Sequence, residues 1–268
     1  MQTFQAIVAR TPQEIRDAQR VRWAVYGEEE RLLSRERRFE GREIDARDEQ
    51  ETTSHLLVYA GGEAVGTVRL LRPSAERESG CLGLDLEAKW DLGALAAPGI
   101  APAEVTRYCV LRQHRHTGVT TALFAGLYAE SVRRGITHWV AGANMETDLP
   151  EDAAVAYRVA QEKGFCSARF AASPRVAEVP RTPRRRACYT EEQRRQAAGG
   201  DLTGIALPRT LALFASRMGA RFIGPPVYDT GFDVFALPLV ATLADLAATR
   251  ANRSTGVERA RDRGELRA

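Results

Sequence analysis

Residues 104–118, EVTRYCVLRQHRHTG, decide the fold class of this chain. The first eight of them are rich in β-branched and aromatic side chains, which predicts a strand over 104–111. His116-Thr117-Gly118 then opens a helical pattern that ends at Gly135, with apolar residues at Ala122, Leu123, Leu127 and Val132. A strand joined to a helix by a short loop is typical of a mixed α/β sheet.

The sequence on either side continues this alternation of strands and helices. A first strand over 4–9 precedes Thr11-Pro12-Gln13-Glu14, which has the pattern of a helix capping box with proline at the first helical position. Gly61-Gly62 separates two strand patterns, 54–60 and 64–71, and so predicts a β-hairpin. The remaining predicted elements are a strand over 136–141, helices over 150–163 and 207–218, and strands over 220–223 and 233–239.

The chain of 268 residues is long enough for one large domain or two small ones. We predict one α/β domain over 1–240, with a flexible Arg- and Pro-rich insertion at about 174–200. The segment 241–268 is highly charged and predicts a disordered tail. A second charged stretch, 28–50, predicts a long and partly mobile loop.

Composition excludes several functional classes. Hydrophobic residues make up 44% of the chain and charged residues 27%, the balance of an ordinary globular protein. No apolar run approaches ~20 residues and no secretory signal is visible, so we expect a cytoplasmic protein without a membrane span. The four cysteines form no CxxC pair, so we expect no metal. The net charge of +3 is not concentrated on one basic face, so we expect no nucleic-acid partner.

Three short blocks carry the residue types from which a charged site can be built. The first, GREIDARD over 41–48, holds Glu43, Asp45 and Asp48. The second, GTVRLL over 66–71, places Arg69 among apolar neighbours. Because a buried arginine requires carboxylate partners, these blocks predict an ionic cleft beside one sheet. The residues alone leave an equal alternative, in which the acids lie in a solvated loop and the arginines on the surface.

The third block, EVTRYCV over 104–110, adds Glu104 and Arg107. Side chains alternate between the two faces of a regular strand. We therefore expect Glu104, Thr106 and Tyr108 on one face, and Arg107 on the other with Cys109.

Together with Arg22-Trp23-Ala24-Val25-Tyr26, these blocks resemble the acyl-homoserine-lactone synthase and N-acyl amino acid synthase branch of the GNAT N-acyltransferases. The resemblance covers about residues 5–166, with a looser match over 207–239. It implies a GNAT fold of the α/β class, with helices on both faces of a mixed central sheet that splays between its fourth and fifth strands. The acyl donor of such enzymes lies in the split.

The resemblance also implies a reaction and a set of site residues. The reaction is transfer of a fatty acyl group from an acyl carrier protein or coenzyme A thioester to the amine of an amino acid, a related metabolite or a peptide. Catalytic roles fall to Glu43, Glu104, Arg69 and Arg107. Substrate-binding roles fall to Arg22, Tyr26, Asp45, Asp48, Thr106, Tyr108, Asn144 and Thr147. Donor-binding roles fall to Cys109, Val110, Leu111, Arg112, Arg115 and Gly118.

On the donor side the chain departs from the wider superfamily. Ordinary GNAT proteins carry Gln/Arg-x-x-Gly-x-Gly/Ala before the helix, whereas residues 115–120 read RHTGVT, with threonine as the last residue. The half-present motif favours acyl carrier protein, whose acidic helix would meet Arg112, Arg115, Arg133 and Arg134. An ordinary exposed helix face is the equal alternative for these arginines. The usual tyrosine position before Gly164-Phe165 is Ala160, so no general acid is assigned.

Two further functions remain open at this point. One is a homoserine-lactone synthase that uses S-adenosylmethionine. Its members usually carry more aromatic residues between the first helix and the acidic triplet, where this chain has only Phe39. The other is a catalytically idle binding module, and the complete set of acids and arginines argues against it.

Overall fold

The computed structural model describes residues 3–33, 41–74, 81–177 and 186–247. In chain order its strands are β1 (Ala6–Val8), β2 (Thr53–Ala60), β3 (Glu63–Leu71), β4 (Trp90–Asp91), β5 (Pro102–Val110), β6 (His138–Asn144), β7 (Ser173–Pro174), β8 (Arg221–Phe222), β9 (Val227–Asp229) and β10 (Val234–Thr242). The α-helices are α1 (Pro12–Trp23), α2 (Val119–Arg133), α3 (Pro150–Glu162), α4 (Glu191–Ala198) and α5 (Arg209–Arg217).

One large sheet runs in the order β1-β2-β3-β5-β6-β10-β8, with β9 paired to β10. Its pairs are antiparallel except for β5 and β6, which run parallel. Those two strands pair only at Pro102–Glu104 with His138–Val140, and beyond that point each pairs only with its outer neighbour. The large sheet therefore splits between β5 and β6. These are its fourth and fifth strands in chain order, as the sequence analysis expects, since β4 belongs to a separate two-stranded sheet.

Helices cover both faces of this sheet. Val21 and Val25 of the first helical segment pack on Cys109 of β5, which lies opposite Thr67 of β3. On the other face α2 crosses so close to β3 that a Cβ atom on Gly66 would lie 2.7 Å from a methyl carbon of Val119. The expected mixed α/β fold with helices on both faces is confirmed.

Local sequence signals account for most element boundaries. The Thr11 side chain accepts from the Glu14 backbone N–H and the Glu14 carboxylate caps the Thr11 N–H, so the predicted capping box begins α1. Gly61 and Gly62 have φ values of 58° and 87° in the predicted hairpin turn. The structure adds β9, which the sequence analysis missed because its three residues are too short to show a period.

The described end of the predicted insertion, 186–200, contains α4 and is held against α3. The buried Asp152 carboxylate accepts from Arg194 Nε at 2.6 Å and from the Cys188 backbone N–H at 2.6 Å. The expectation of a flexible segment is therefore wrong for 186–200, because the buried Asp152 carboxylate on α3 holds these residues in place. Strand β10 also runs two residues past the expected domain boundary at 240. Residues 178–185 and the tail from 248 onward lie outside the described residues.

Candidate active site

The acidic triplet and the predicted arginines form one buried network. Arg22 of α1 is fully buried, with its Nε 2.7 Å from Glu43 Oε2 and its Nη2 2.6 Å from Asp48 Oδ2. The same Nη2 donates to the Glu43 carbonyl oxygen at 2.5 Å. The segment over 41–48 is thus fixed to α1 by a single guanidinium group.

Arg69 of β3 is the second fully buried guanidinium. Its Nη1 lies 2.9 Å from Asp45 Oδ1, its Nη2 2.5 Å from Asp85 Oδ2, and its Nε donates to Thr106 Oγ1 at 3.0 Å. Asp85, on a 3-10 turn over Asp85–Ala88, is a residue that the sequence analysis missed. The available signal was an acid flanked by leucines at Leu84 and Leu86, a position that is buried only if the acid is paired.

Arg107 completes the network from a β-bulge. The register shifts between β3 and β5, where Arg69 faces Thr106 and Thr67 faces Cys109, so Arg107 and Tyr108 together oppose one residue of β3. Arg107 has a φ of 57°. Its Nη2 donates to Asp45 Oδ2 at 2.8 Å, and its Nε lies 3.2 Å from Glu43 Oε1.

The bulge corrects the expected alternation on β5. Glu104, Thr106 and Cys109 lie opposite Leu71, Arg69 and Thr67 of β3, so they share one face. Tyr108 does not share that face: its hydroxyl donates to the Thr120 carbonyl oxygen at 2.8 Å, on the side of α2. The expected grouping of Tyr108 with Glu104, and the separation of Cys109 from Glu104, are therefore wrong, because the extra residue reverses the alternation after Thr106.

Burial and charge shift the pKa values of the network carboxyls in opposite directions. Burial alone would raise the pKa of Asp48, but the hydrogen bonds and charge of Arg22 hold it well below its usual range. For Glu104, burial and the negative charge of Asp85 raise the pKa to about 7, against the opposing Leu86 N–H bond. Glu104 is therefore the carboxyl of this network that can exchange a proton near neutral pH.

Aromatic contacts connect the network to an adjacent cleft. The Phe232 ring, in the turn between β9 and β10, lies 4.9 Å from the Tyr26 ring between centroids. The Arg107 guanidinium carbon lies 5.4 Å from the Phe232 ring centroid, within range of a cation–π contact. Burial raises the pKa of the Cys109 thiol to about 12, so Cys109 is a neutral neighbour of Tyr26 and not a thiolate nucleophile.

The cleft has a volume of about 650 Å³ and opens where β5 and β6 diverge. Five predicted site residues line it: Tyr26, Tyr108, Val110, Arg115 and Asn144. Its other lining residues are Val25, Glu30, Leu32, Thr120, Glu146, Arg186, Thr210, Leu213 and Val234. Apolar side chains from four separate elements and a few charged groups make this a site for a ligand with an apolar part and a polar head.

Unfavourable backbone conformations concentrate around this cleft. Across the described ranges, positive φ angles occur at four residues other than glycine, namely Arg31, Arg107, Glu146 and Asp233. Glu146 lines the cleft, and each of the other three is next in sequence to a residue that does. Left-handed backbone at such residues costs about 1–3 kcal/mol each and clusters at functional sites. The strain identifies the cleft as a candidate site independently of its charges.

The predicted donor residues lie between the end of β5 and the start of α2. Arg115 Nη2 lies 2.6 Å from Glu29 Oε2 and 2.9 Å from Glu30 Oε1, and the Arg112 side chain donates to the Glu29 carbonyl oxygen at 3.2 Å. Gly118 stands at the N-cap of α2, and the Leu111 N–H donates to the Val65 carbonyl oxygen at 3.0 Å.

Arg133 and Arg134 lie at the other end of α2, about 22 Å from its start at 1.5 Å per residue. Both are bound to Glu130, at 2.6 Å and 2.8 Å. The expected continuous positive surface of Arg112, Arg115, Arg133 and Arg134 is therefore wrong, because the length of α2 separates its two halves and each half contains an arginine that is paired with an acid.

Thr147 does not line the cleft. It is fully buried, its hydroxyl accepts from the Leu149 N–H at 3.2 Å, and it lies 3.3 Å from Asp152 Oδ2. Its position fits a structural role at the start of α3. Asn144, three residues earlier, does line the cleft.

The sequence analysis missed Glu146, Arg186, Thr210, Leu213 and Phe232. Each reaches the site from a segment whose position depends on tertiary packing, so no local spacing singled it out. Across the described ranges, no group of three or more His, Cys, Asp or Glu side chains is arranged to hold a metal ion. In those same ranges, no helix is both long and apolar enough to cross a membrane.

Residues 17–148 match the N-acyl amino acid synthase FeeM family. The chain is 30% identical over 164 residues to an L-ornithine N(alpha)-acyltransferase from Agrobacterium fabrum, a match that covers 58% of this chain and 55% of that protein. The chain thus spans about half the length of this curated relative.

Two solved structures are similar at low sequence identity. FeeM, an N-acyl amino acid synthase from uncultured soil microbes, is 14% identical, covers 92% of this chain and 94% of its own, and superimposes with a TM-score of 0.49. The coenzyme A-dependent acyl-homoserine lactone synthase BjaI is 16% identical, covers 93% and 88% of the two chains, and gives a TM-score of 0.46.

Proposed function

From the match of residues 17–148 to the N-acyl amino acid synthase FeeM family, we propose that this chain is an N-acyltransferase. It moves an acyl group from a thioester to the α-amine of an amino acid. The observation that carries the proposal is the 650 Å³ cleft in the split between β5 and β6, beside the bulge at Arg107 and Tyr108.

The cleft and the bulge divide the chemistry between them. The apolar walls at Val25, Leu32, Val110 and Leu213 suit the acyl chain and its thioester. The bulge turns backbone N–H groups out of the regular ladder, where they can polarise the carbonyl and stabilise the tetrahedral oxyanion. The neutral amine attacks the carbonyl carbon, the C–N bond forms, and the C–S bond breaks to release the thiol.

Glu104 is proposed as the final acceptor of the amine proton; because it is buried and does not line the cleft, the proton first leaves the amine for water in the cleft. A base acts best when its pKa lies near the working pH, and the pKa of Glu104 is about 7. Glu43 is bound to Arg22 and Arg107, so it holds the bulge in position rather than moving protons. Asp45 and Asp48 have the same positioning role for Arg69, Arg107 and Arg22.

The donor is proposed to carry a phosphopantetheine arm, the chemistry that acyl carrier protein and coenzyme A share. The pairing of Arg115 with Glu29 and Glu30 removes the charge-based preference for acyl carrier protein. The same acyl chain on both carriers therefore has to be compared. The acceptor is proposed to be ornithine or a similar basic amino acid, on the strength of the ornithine N(alpha)-acyltransferase relative.

The test is direct turnover by the purified chain. Long-chain acyl-coenzyme A and acyl carrier protein thioesters are each offered with ornithine, tyrosine or S-adenosylmethionine, and thiol release and product mass are measured. We expect amide formation with an amino acid. Lactone formed from S-adenosylmethionine would establish a homoserine-lactone synthase instead, and thiol release without any acylated amine would refute acyl transfer.

A matched pair of variants ties turnover to the cleft. Leu213→Trp adds bulk at a residue that lines the cleft yet is 45% exposed, so the fold can accommodate it. Val132→Trp adds the same bulk on α2 at a 56% exposed position that does not line the cleft. Only Leu213→Trp should raise the KM for a long acyl donor. Equal kinetics for the two variants would place the acyl chain elsewhere.

A further inference from the structure

The cleft contains two charged side chains, of opposite sign, that no oppositely charged group neutralises within the described ranges. Glu146 accepts from Thr210 Oγ1 at 2.6 Å and forms no ion pair there. Arg186 Nη2 donates to the Arg31 carbonyl oxygen at 3.3 Å and likewise forms no ion pair. Arg115, in the same cleft, is by contrast bound to Glu29 and Glu30.

Glu146 is held in place by its surroundings. It follows β6 with a φ of 60°, a left-handed conformation that a glutamate keeps only where its surroundings hold it. Its neighbour Met145 is fully buried and donates its N–H to the Phe235 carbonyl oxygen at 2.9 Å. The Thr210 bond then fixes the carboxylate itself, so one carboxylate oxygen is engaged and the group still faces the cleft.

The backbone of Arg186 is also held in place, by a hydrogen bond to a buried carboxylate. Its backbone N–H donates to the buried Asp148 Oδ1 at 2.7 Å, and two residues later the Cys188 N–H donates to Asp152. These buried acids set the direction in which the Arg186 side chain leaves the backbone. The guanidinium group keeps most of its five donors for a ligand, because one bond to a carbonyl uses only one or two of them.

We propose that Glu146 and Arg186 form the acceptor subsite and select an amino acid with a positively charged side chain. Arg186 binds the α-carboxylate, a planar anion that a guanidinium group recognises with two parallel hydrogen bonds. Glu146 binds the side-chain ammonium. The inference rests on the proposed N-acyltransferase function. It assigns the acceptor specificity to Glu146, near the end of the 17–148 family match, and to Arg186, which lies outside it.

The charges explain which amine reacts. An amine attacks a thioester only after it loses its proton, whereas an ammonium held by a carboxylate keeps its proton and stays unreactive. Binding of the side-chain ammonium by Glu146 therefore protects it and leaves the α-amine as the nucleophile. The α-amine forms the new C–N bond, its proton passes to the base, and the thiolate departs and is protonated.

The experiment uses ornithine and two analogues that each lack one charge. Norvaline lacks the side-chain amine, and 1,4-diaminobutane lacks the carboxylate. Glu146→Gln should raise the KM for ornithine about fivefold, in line with one partly exposed charge pair, and leave norvaline unchanged. Arg186→Gln should raise the KM for ornithine and norvaline roughly five- to tenfold and leave 1,4-diaminobutane unchanged.

Glu192→Gln and Arg195→Gln are the matched controls, because this ion pair on α4 is more than 70% exposed on both sides. Neither control should change any of these constants. If Arg186→Gln raised the KM for the acyl donor equally with every acceptor, Arg186 would bind the donor phosphate and the subsite would be overturned. Equal kinetics of wild type and Glu146→Gln with ornithine would overturn it as well.

A binding measurement separates this subsite from the proposed activity. Calorimetric titration of the whole chain with ornithine and norvaline needs no turnover. Tighter binding of ornithine that Glu146→Gln abolishes would support the subsite even in a chain that transfers no acyl group. Turnover with amino acids but equal affinity for ornithine and norvaline would overturn the subsite and leave the acyltransferase proposal intact.

Discussion

Replacing Arg69 with methionine should destabilise the fold strongly, although Arg69 does not line the cleft. The side chain is fully buried and binds three carboxylates, Asp45, Asp48 and Asp85, together with the Thr106 hydroxyl. Methionine keeps the length of the side chain but removes its charge. The three carboxylates then lose one counter-charge, and for Asp48, whose side chain is 1% exposed, the loss occurs out of reach of water.

The size of the effect follows from the contacts that remain. Removing one partner of a buried ion pair costs about 3–5 kcal/mol. Each carboxylate retains a second arginine: Arg107 for Asp45, Arg22 for Asp48 and Arg47 for Asp85. We therefore expect the lower end, about 3 kcal/mol. For a domain of this size that corresponds to a fall in Tm of roughly 6–12 °C.

Thermal melts at two pH values test the mechanism as well as the size. In the wild type the pKa of Asp48 is depressed in the folded state, so its stabilisation is complete above its unfolded pKa and is lost as pH falls. In the variant the pKa of the carboxyls that lose Arg69 rises. Because that unfolded pKa is 3.8, the difference in Tm between variant and wild type should stay constant down to about pH 5 and shrink between pH 5 and pH 2.5.

Arg195→Met on the exposed surface of α4 is the control and should change Tm by less than about 1–2 °C, since an exposed i,i+3 ion pair on a helix contributes about 0.2–0.5 kcal/mol. A Tm for Arg69→Met within that same range would refute the buried-network argument. A large loss that stays constant between pH 5 and pH 2.5 would show that lost packing, and not unpaired charge, is its cause.

Three further outcomes are expected. The pKa of folded Glu104 is about 7 against an ordinary 4.5, so the cost of ionising Glu104 in the folded state is absent below pH ~4.5 and complete above pH ~7. The free energy of unfolding of the wild type relative to Glu104→Gln should therefore fall by about 3 kcal/mol between these two pH values. Denaturant titrations in which the difference between the two proteins does not change with pH would contradict this. Asp152→Asn should cost about 2 kcal/mol and speed proteolysis within 186–200, because the Asp152 carboxylate holds Arg194 and the Cys188 N–H; unchanged cleavage would show another anchor. Deleting 250–268 should leave Tm and turnover within error of wild type, because this segment has few apolar residues to bury; a truncated chain that fails to fold would show that it docks on the domain.

The ionic network could be predicted from the sequence because charge burial leaves few choices. Arg69 stands among apolar residues of a strand pattern, so it had to find acids, and the triplet of Glu43, Asp45 and Asp48 was available. The hairpin and the capping box were equally local: two glycines and one Thr-x-x-Glu pattern define them. Such features follow from neighbours a few residues apart.

The orientation of β5 side chains could not be predicted in the same way. Alternation on a strand assumes a regular ladder, and the bulge after Thr106 breaks it by one residue. The packing of 186–200 also escaped prediction, because its arginines and polar residues are typical of a solvated segment. Only the position of the buried Asp152 on α3 converts that segment into a folded part of the structure.

The arrangement suggests what the buried charges are for. A buried ion network is weak evidence of stability, because apolar residues of similar volume are often as stable or more so. Its arginines instead meet at one strained position: Arg107, at φ 57°, is bound to Glu43 and Asp45, which are in turn bound to Arg22 and Arg69. Those ion pairs offset the backbone strain at Arg107 and so stabilise the bulge relative to a regular strand pairing. The network therefore maintains the irregular backbone that faces the cleft, which explains why charges so deep in the fold accompany a site that they do not line.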